Sequence, residues 1–382
     1  IIETNGLLYM TLDSNPGGIR IAEKLGLHKH EELPRFFNKF VYTEALWSRL
    51  AYRMRDMTVD DIPRVLQIWA ELELQEGSLS VKSFLSAKAG HYVVAVDNRT
   101  DQVLGVCALT KFMENTYIIG LYGVDRRHQG LGIGSRLFST IMTHIGPNDS
   151  AVLFSEHHLQ GMYRERLGFS HDSGIQLIAY ECRPVRTRNL QNLVDSIAGI
   201  RIERIGDSLV DSVVEYDRKV HRQSRAQVLN RMFSDPECRA LVAIDESGDQ
   251  VAGYGVIHMC SDENGRVGPL YADSDSVAEL LLRKLIDNFP EMVVKGLIYE
   301  PLANNTSAMS IADKLGLKVE VKLPVLFTKQ IDMDFQWDKT TAAPTVTPTR
   351  NVSPCLTTIC LHLPQAWEAS DLVFSISFEI FN

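Results

Sequence analysis

The sequence offers little from which to build a metal or disulfide framework. Its six cysteines (Cys107, Cys182, Cys238, Cys260, Cys355 and Cys360) are scattered, with no C-x-x-C pair, so neither a disulfide pattern nor a metal site is legible. Cys107 and Cys260 lie in apolar runs and read as reduced core residues. Positive charge is in deficit: 39 Lys and Arg stand against 48 Asp and Glu, a net charge of −9. That excludes a phosphate-binding surface spread over the whole molecule, and no nucleic-acid partner is expected. No apolar run approaches the ~18 residues of a membrane span, so no membrane partner is expected either. The chain opens on Ile1 with no signal-peptide pattern, which reads as a cytoplasmic protein supplied as part of a longer chain. The sequence does not specify the oligomeric state.

What the sequence does hold is repetition. "NGLLYMTLDSNPGGIRIAEKLGLHKHEELPRFFNKF" near the start matches "KGLIYEPLANNTSAMSIADKLGLKVEVKLPVLFTKQ" without a gap, so that Gly6 meets Gly296 and Asn15 meets Asn305. A second register, offset by 148 residues, sets "YVVAVD" (92–97) against "ALVAID" (240–245) and "ERLGF" (165–169) against "DKLGL" (313–317). Gly105 then faces Gly253, Gly120 faces Gly268 and Asp125 faces Asp273. One register held over such a length indicates duplication. It predicts the end of one module over about 1–45, a complete module over 51–184 and another over 199–330. Residues 331–382 are left as a Thr/Pro-rich, disordered linker ("TTAAPTVTPTR") and an unplaced apolar tail.

Within the middle module the punctuation predicts a strand at "RMRDMT" and a helix at "VDDIPRVLQIWAEL", with Asp60 and Asp61 in its first turn. A second helix is expected over "SVKSFLSAKAG", then a hairpin of "HYVVAVD" and "VLGVCALTKF". After the strand "TYIIGLYGV" come the helix "GLGIGSRLFSTIMTHI", the strand "AVLFSE" and the helix "HLQGMYRERLGF". "IQLIAYE" is expected to close the module's sheet. Helices falling among strands in this way imply an α/β fold, a mixed sheet with helices on its faces.

The segment "VDRRHQGLGIGSRLF" places Gly130, Gly132 and Gly134 at a strand-to-helix passage, although each glycine costs a helix about 0.8–1 kcal/mol relative to alanine. Bare backbone at a helix start suits an anionic phosphate, because unpaired N–H groups and the positive end of the helix dipole meet there. Arg126, Arg127 and Arg136 add charge. A tight turn packed on a neighbouring element would also use such glycines. A Walker loop fails here, since Gly134 is followed by Ser135 and Arg136 rather than Lys-Ser/Thr. A dinucleotide fingerprint fails too, because the turn follows a fourth strand and not the first of a βαβ unit.

"YGVDRRHQGLGIGSRLF" resembles the acyl-CoA-binding signature (R/Q)xxGx(G/A) of the GNAT acetyltransferase superfamily, matched by Arg127, Gly130 and Gly132, with Gly134 fitting as well. "MYRERLGF" resembles the family's following helix. The resemblance covers the whole middle module and implies tandem GNAT folds, each a mixed, mostly antiparallel, twisted sheet flanked by helices. It implies acetyl-CoA as co-substrate, with no metal. The pyrophosphate would lie on the amides of Gln129, Gly130, Leu131, Gly132, Ile133, Gly134 and Ser135. The pantetheine arm would run along Leu121, Tyr122, Gly123 and Val124. An amine, on a small molecule or a protein, would attack the acyl carbon directly, assisted by a base and by an acid for the leaving thiolate.

The third module departs from this pattern. At the 148-residue offset Ala278, Leu280 and Leu282 replace the three glycines and Asp275 replaces Arg127. The structural glycines persist while the helix-start glycines do not, which favours the phosphate reading for the middle module. A competent module followed by a degenerate one resembles known tandem GNAT proteins. "YDRKVHRQSRAQVLNRMF" (216–233) reads as a solvated amphipathic helix or a face of the acceptor pocket.

For the chemistry, Tyr163 is the candidate acid, although the family places its tyrosine where Arg164 stands. Asn15 and Asn305 occupy the position of His157 in the flanking modules and read as helix caps. His157, His158, Glu156 and Glu114 are candidate bases. The sequence therefore indicates an N-acetyltransferase acting through a ternary complex. The alternative is a non-catalytic coenzyme A sensor or protein-interaction scaffold.

Overall fold

The computed structural model describes residues 51–72, 78–113, 115–155, 157–221, 224–260, 263–330 and 349–353. The repeat at 1–45, the candidate bases Glu114 and Glu156, the linker over 331–348 and the tail from 354 onward lie outside the described residues.

Among the described residues thirteen strands form one sheet. The first half begins with β1 (Tyr52–Asp56), the helices α1 (Ile62–Glu71) and α2 (Ser78–Ser86), and the strands β2 (Gly90–Asp97), β3 (Val103–Met113) and β4 (Thr116–Val124). It continues through α3 (Ile133–Met142), β5 (Ser150–Phe154), α4 (Gln160–Arg166) and β6 (His171–Cys182). The second half repeats the pattern. It comprises β7 (Ile200–Arg204), α5 (Asp207–His221), α6 (Ala226–Phe233), β8 (Cys238–Asp245), β9 (Gln250–Met259) and β10 (Gly265–Ala272). Then come α7 (Asp275–Asp287), α8 (Pro290–Lys295), β11 (Leu297–Tyr299), α9 (Thr306–Leu315) and β12 (Lys318–Phe327). The 148-residue offset carries β1 onto β7 and β2 onto β8, end for end. Strands β1 to β4 pair antiparallel in sequence order, and β5 joins β4 in parallel. The fold is thus mixed α/β and mostly antiparallel.

The closing strands are exchanged. The sheet runs β1-β2-β3-β4-β5-β12-β6-β11-β10-β9-β8-β7. "IQLIAYE", within β6, does not close its own module. Its edge neighbours are β11 and β12 of the third module, while β12 takes the place beside β5. The two strands share a burial pattern, a more exposed first half followed by a run of buried residues (Leu177–Tyr180 in β6, Leu323–Phe327 in β12), so each can satisfy the other half's edge as well as its own. β13 (Thr349–Ser353) pairs with β10, so a strand stands where the end of the Thr/Pro-rich linker was expected to be disordered.

The exchange leaves no apolar boundary between the halves. One cluster joins Ile68, Trp69 and Leu121 to Val228, Met232 and Tyr254 and to Val325 and Phe327 of β12. The segment 216–233 is not one solvated helix, because α5 ends at His221 and α6 starts at Ala226. Between them Arg225 is buried against Asp217, and Tyr254 donates to the same carboxylate at 2.5 Å. The apolar face of α6 lies in the joint core. Asn305 caps α9 as expected, its Oδ1 accepting from the Ala308 amide at 2.9 Å. No helix among the described residues is long and apolar enough to cross a membrane. None of their His, Cys, Asp and Glu side chains form a group of three or more able to hold a metal ion.

Candidate donor site in the middle module

β4 and β5 part early. They pair in parallel only from Thr116 to Ile118, against Ser150 to Val152. From Ile119 to Val124, β4 has no strand partner on that side among the described residues, so its polar backbone edge is open. A bulge shapes this stretch. Val106 pairs with Gly123 and Ala108 with Gly120, leaving Leu121 and Tyr122 together opposite Cys107. Leu121 takes a left-handed φ of 45°. The extra residue shifts the alternation, so Leu121 joins Ile118 on the α1 face while Tyr122 and Val124 face α3. Gly123 packs on Trp69 and Leu72, where a Cβ would lie 3.2 Å from the indole Nε1.

Beyond β4, Asp125 opens a 3₁₀ turn over Arg126–His128, accepting a hydrogen bond from the Arg127 amide at 2.9 Å. The Gln129 Nε2 donates to the Val124 carbonyl at 3.0 Å, folding the turn back on the strand. Gly130 and Gly132 both have φ of 76°, a left-handed conformation that bulky side chains resist. Gly132 is the N-cap of α3, and no side chain caps the amides of the first turn. Those amides, from Ile133, Gly134 and Ser135, are orphan donors at the positive end of the helix. Leu131 is exposed beside them.

The structure distinguishes the glycines by cause. Gly130 and Gly132 serve the backbone turn, whereas Gly134 is buried beneath the Tyr122 hydroxyl, which would lie 2.5 Å from an added Cβ. With α3 starting after Gly132, the signature spacing also fits as Gln129-x-x-Gly132-x-Gly134, and this register meets the helix start. Its signal was present in the sequence, two residues on from the register first matched there. Arg127 is not an uncommitted cation: its Nε and Nη2 lie 3.1 and 2.7 Å from the Asp125 carboxylate. Burial would raise the Asp125 carboxyl, but the Arg127 side chain and amide and the charges of Arg127 and Arg64 bring it to about 2, so it stays ionised.

The candidate catalytic residues differ in their surroundings. Tyr163 is buried, 3% exposed, with its ring centroid 6.0 Å from Phe169 and 6.4 Å from Phe138. Burial, with Tyr163 and Cys107 nearby, pushes the Tyr122 phenol well above its ordinary value. Arg164, at the family's tyrosine position, holds Asp172 at 2.5 Å. His157 is exposed and its Nδ1 lies 2.9 Å from Gln160 Nε2. His158 falls in the same short turn as His157.

The third module shows the same opening closed. Helix α7 begins at Asp275, where the middle module still has its turn, and Ser274 caps it by accepting from the Val277 amide. Asp275 accepts from Ser307 Oγ at 2.7 Å. Tyr271 replaces Gly123 and is fully buried, bonded to His221. On β10, β13 pairs with Leu270 and Ala272, at positions matching Tyr122 and Val124.

A model of the acetyltransferase (GNAT) family matches residues 52–169, and a model of an acetyltransferase (GNAT) domain matches residues 213–338. The uncharacterised N-acetyltransferase YitH of Bacillus subtilis (strain 168) is 26% identical over 167 residues, 44% of this chain and 55% of that protein. The chain thus matches about half the length of that curated relative. A solved structure from Pyrococcus horikoshii shares the fold with a TM-score of 0.52 at 21% identity, over 78% of this chain and 92% of the other. So does a tandem GNAT protein from the clavulanic acid biosynthesis pathway, with a TM-score of 0.52 at 14% identity, over 74% of this chain and all of the other. The chain belongs to the GNAT acetyltransferases, an acyltransferase family, and carries two GNAT domains in tandem.

Proposed function

We propose that the middle module transfers an acetyl group from acetyl-CoA to an amine, in a ternary complex without a covalent enzyme intermediate. The observation that carries this reading is the contrast between two helix starts in one chain. The α3 start is uncapped and opens on left-handed glycines, whereas Ser274 and Asp275 fill the α7 start. The pyrophosphate binds the amides of the Gln129–Ser135 turn, where unpaired donors and the helix dipole favour it. Pantetheine extends the open edge of β4 from Leu121 to Val124, taking the place of a missing strand. A backbone amide at the bulge polarises the acyl carbonyl.

The amine then attacks the acyl carbon, and the thiolate leaves with a proton from Tyr163. Its burial beside Tyr122 and the aromatic cluster keeps bulk water from competing at that step. His157, in the short turn after β5, is the base facing solvent, from which the acceptor enters. The third module acts as structural partner and wall, supplying β12 and α6.

Thiol release measured with acetyl-CoA and a panel of amines tests this. Turnover is expected with at least one amine. Tyr163→Phe is expected to lower kcat by about 10²-fold while acetyl-CoA affinity stays within about twofold. Thermal protection by acetyl-CoA with no thiol release from any amine would make the module a binding domain instead.

A further inference from the structure

Asp125 follows β4 with its carboxylate out of solvent, yet two guanidinium groups converge on it. Arg127 reaches it from the donor turn, and Arg64 reaches the same Oδ2 from α1. His128 Nδ1 stands 3.6 Å from Oδ1, beyond hydrogen-bonding distance. Arg64 has a second, looser partner in Glu71 at 3.5 Å. The two arginines are placed differently: the Arg64 side chain is 15% exposed and that of Arg127 68%. Two carboxylates, Asp125 and Glu71, stand against the two guanidinium groups, so the cluster is neutral as it stands. Arg127 is its exposed member and is already on the donor turn.

The repeat provides an internal control. Asp273 stands at the matching position of the third module, but Ser212 replaces Arg64 and Asp275 replaces Arg127. There the carboxylate accepts from the Tyr216 hydroxyl at 2.8 Å, and burial pushes its carboxyl up. The module without a donor turn keeps the acid and has lost both arginines. A purely structural role for the acid at the end of this strand would not require the two arginines to come and go with the turn.

Resting on the donor-site reading above, we propose that Arg64 and Asp125 are positioning residues for the donor. Arg64 neutralises Asp125 from α1, which lets Arg127 leave that carboxylate and pair with a phosphate of coenzyme A. The exchange frees an exposed guanidinium from a buried carboxylate that keeps Arg64 as its partner, and forms a charge-assisted contact to phosphate. It also ties α1, on the opposite face of the sheet from α3, to occupation of the donor turn.

The test is calorimetric titration of coenzyme A into the full chain and its variants, each checked for folding by its thermal transition. Arg64→Gln is expected to weaken binding about tenfold, because Asp125 then retains Arg127. Arg64→Lys is expected to stay within about twofold of the parent. Asp125→Asn keeps an oxygen to cap the turn and is expected to bind at least as tightly as the parent. The double variant Asp125→Asn/Arg64→Gln is expected to recover what Arg64→Gln loses. Parent-like affinity in Arg64→Gln, weaker binding in Asp125→Asn, or a double variant no better than Arg64→Gln overturns the proposal. Should Arg64→Gln not fold, the Asp125→Asn result decides alone. A parent chain that takes up no coenzyme A overturns the donor-site reading itself, whereas a binding parent with an unmoved Arg64→Gln overturns only this inference.

Discussion

A Cβ at Gly134 would stand 2.5 Å from the Tyr122 hydroxyl, while one at Gly130 would meet nothing within 4 Å. Two substitutions that look alike in sequence therefore fail for different reasons. Gly130→Ala strains only the backbone, at a position where φ is 76°. Gly134→Ala overpacks a buried contact and is expected to lose about 1–3 kcal/mol of stability in equilibrium denaturation. Tyr122→Phe in the same chain is expected to restore most of that loss. A double variant as unstable as Gly134→Ala would show that the hydroxyl is not the obstacle. The sequence indicated that glycine was needed three times in this turn. It did not show that the third was needed by a tyrosine twelve residues earlier. That contact exists because the bulge at Leu121 turns Tyr122 toward α3, and a bulge has no signature in "YIIGLYGV". The pairing of Arg127 with Asp125 is local, two residues apart, but Arg64, which completes the cluster, comes from a helix 61 residues away in sequence and was hidden for a similar reason.

Among the elements, the repeat register was legible down to strand ends, since β2 and β8 begin and end at equivalent positions. Both are almost wholly buried, and short apolar blocks bounded by turn residues state their own limits. The helix starts diverged as the residues suggested, with glycines in one module and a Ser cap in the other. The partners of the closing strands were not legible. β6 and β12 share the same pattern, a more exposed first half and then a consecutive buried run, so neither local pattern nor spacing says which should lie beside β5. Only the packing of the halves decides that. The break between α5 and α6 was missed because Arg225 looks like one more solvated charge. Its buried partner Asp217 lies eight residues away, beyond the three- or four-residue spacing that marks an ion pair on one helix.

At the scale of the whole molecule, the exchange means that neither half completes its sheet alone, and the joint apolar cluster crosses from one to the other. Thermal unfolding of the full chain is therefore expected to show one cooperative transition by calorimetry. Saturating coenzyme A should raise that transition as a unit, by about 2.7 kcal/mol at a hundredfold excess over Kd. Two separated transitions, with the ligand moving only one, would show that the halves fold independently despite their shared strands. The proposed donor site falls once in this symmetry-like pair, where a helix start is left uncapped. Its most direct test is the stoichiometry of acetyl-CoA binding, titrated into the full chain, into Gly132→Glu and into Ser274→Ala. One site per chain is expected, lost in Gly132→Glu and unchanged in Ser274→Ala. Two sites per chain, or uptake that survives Gly132→Glu, would contradict the account.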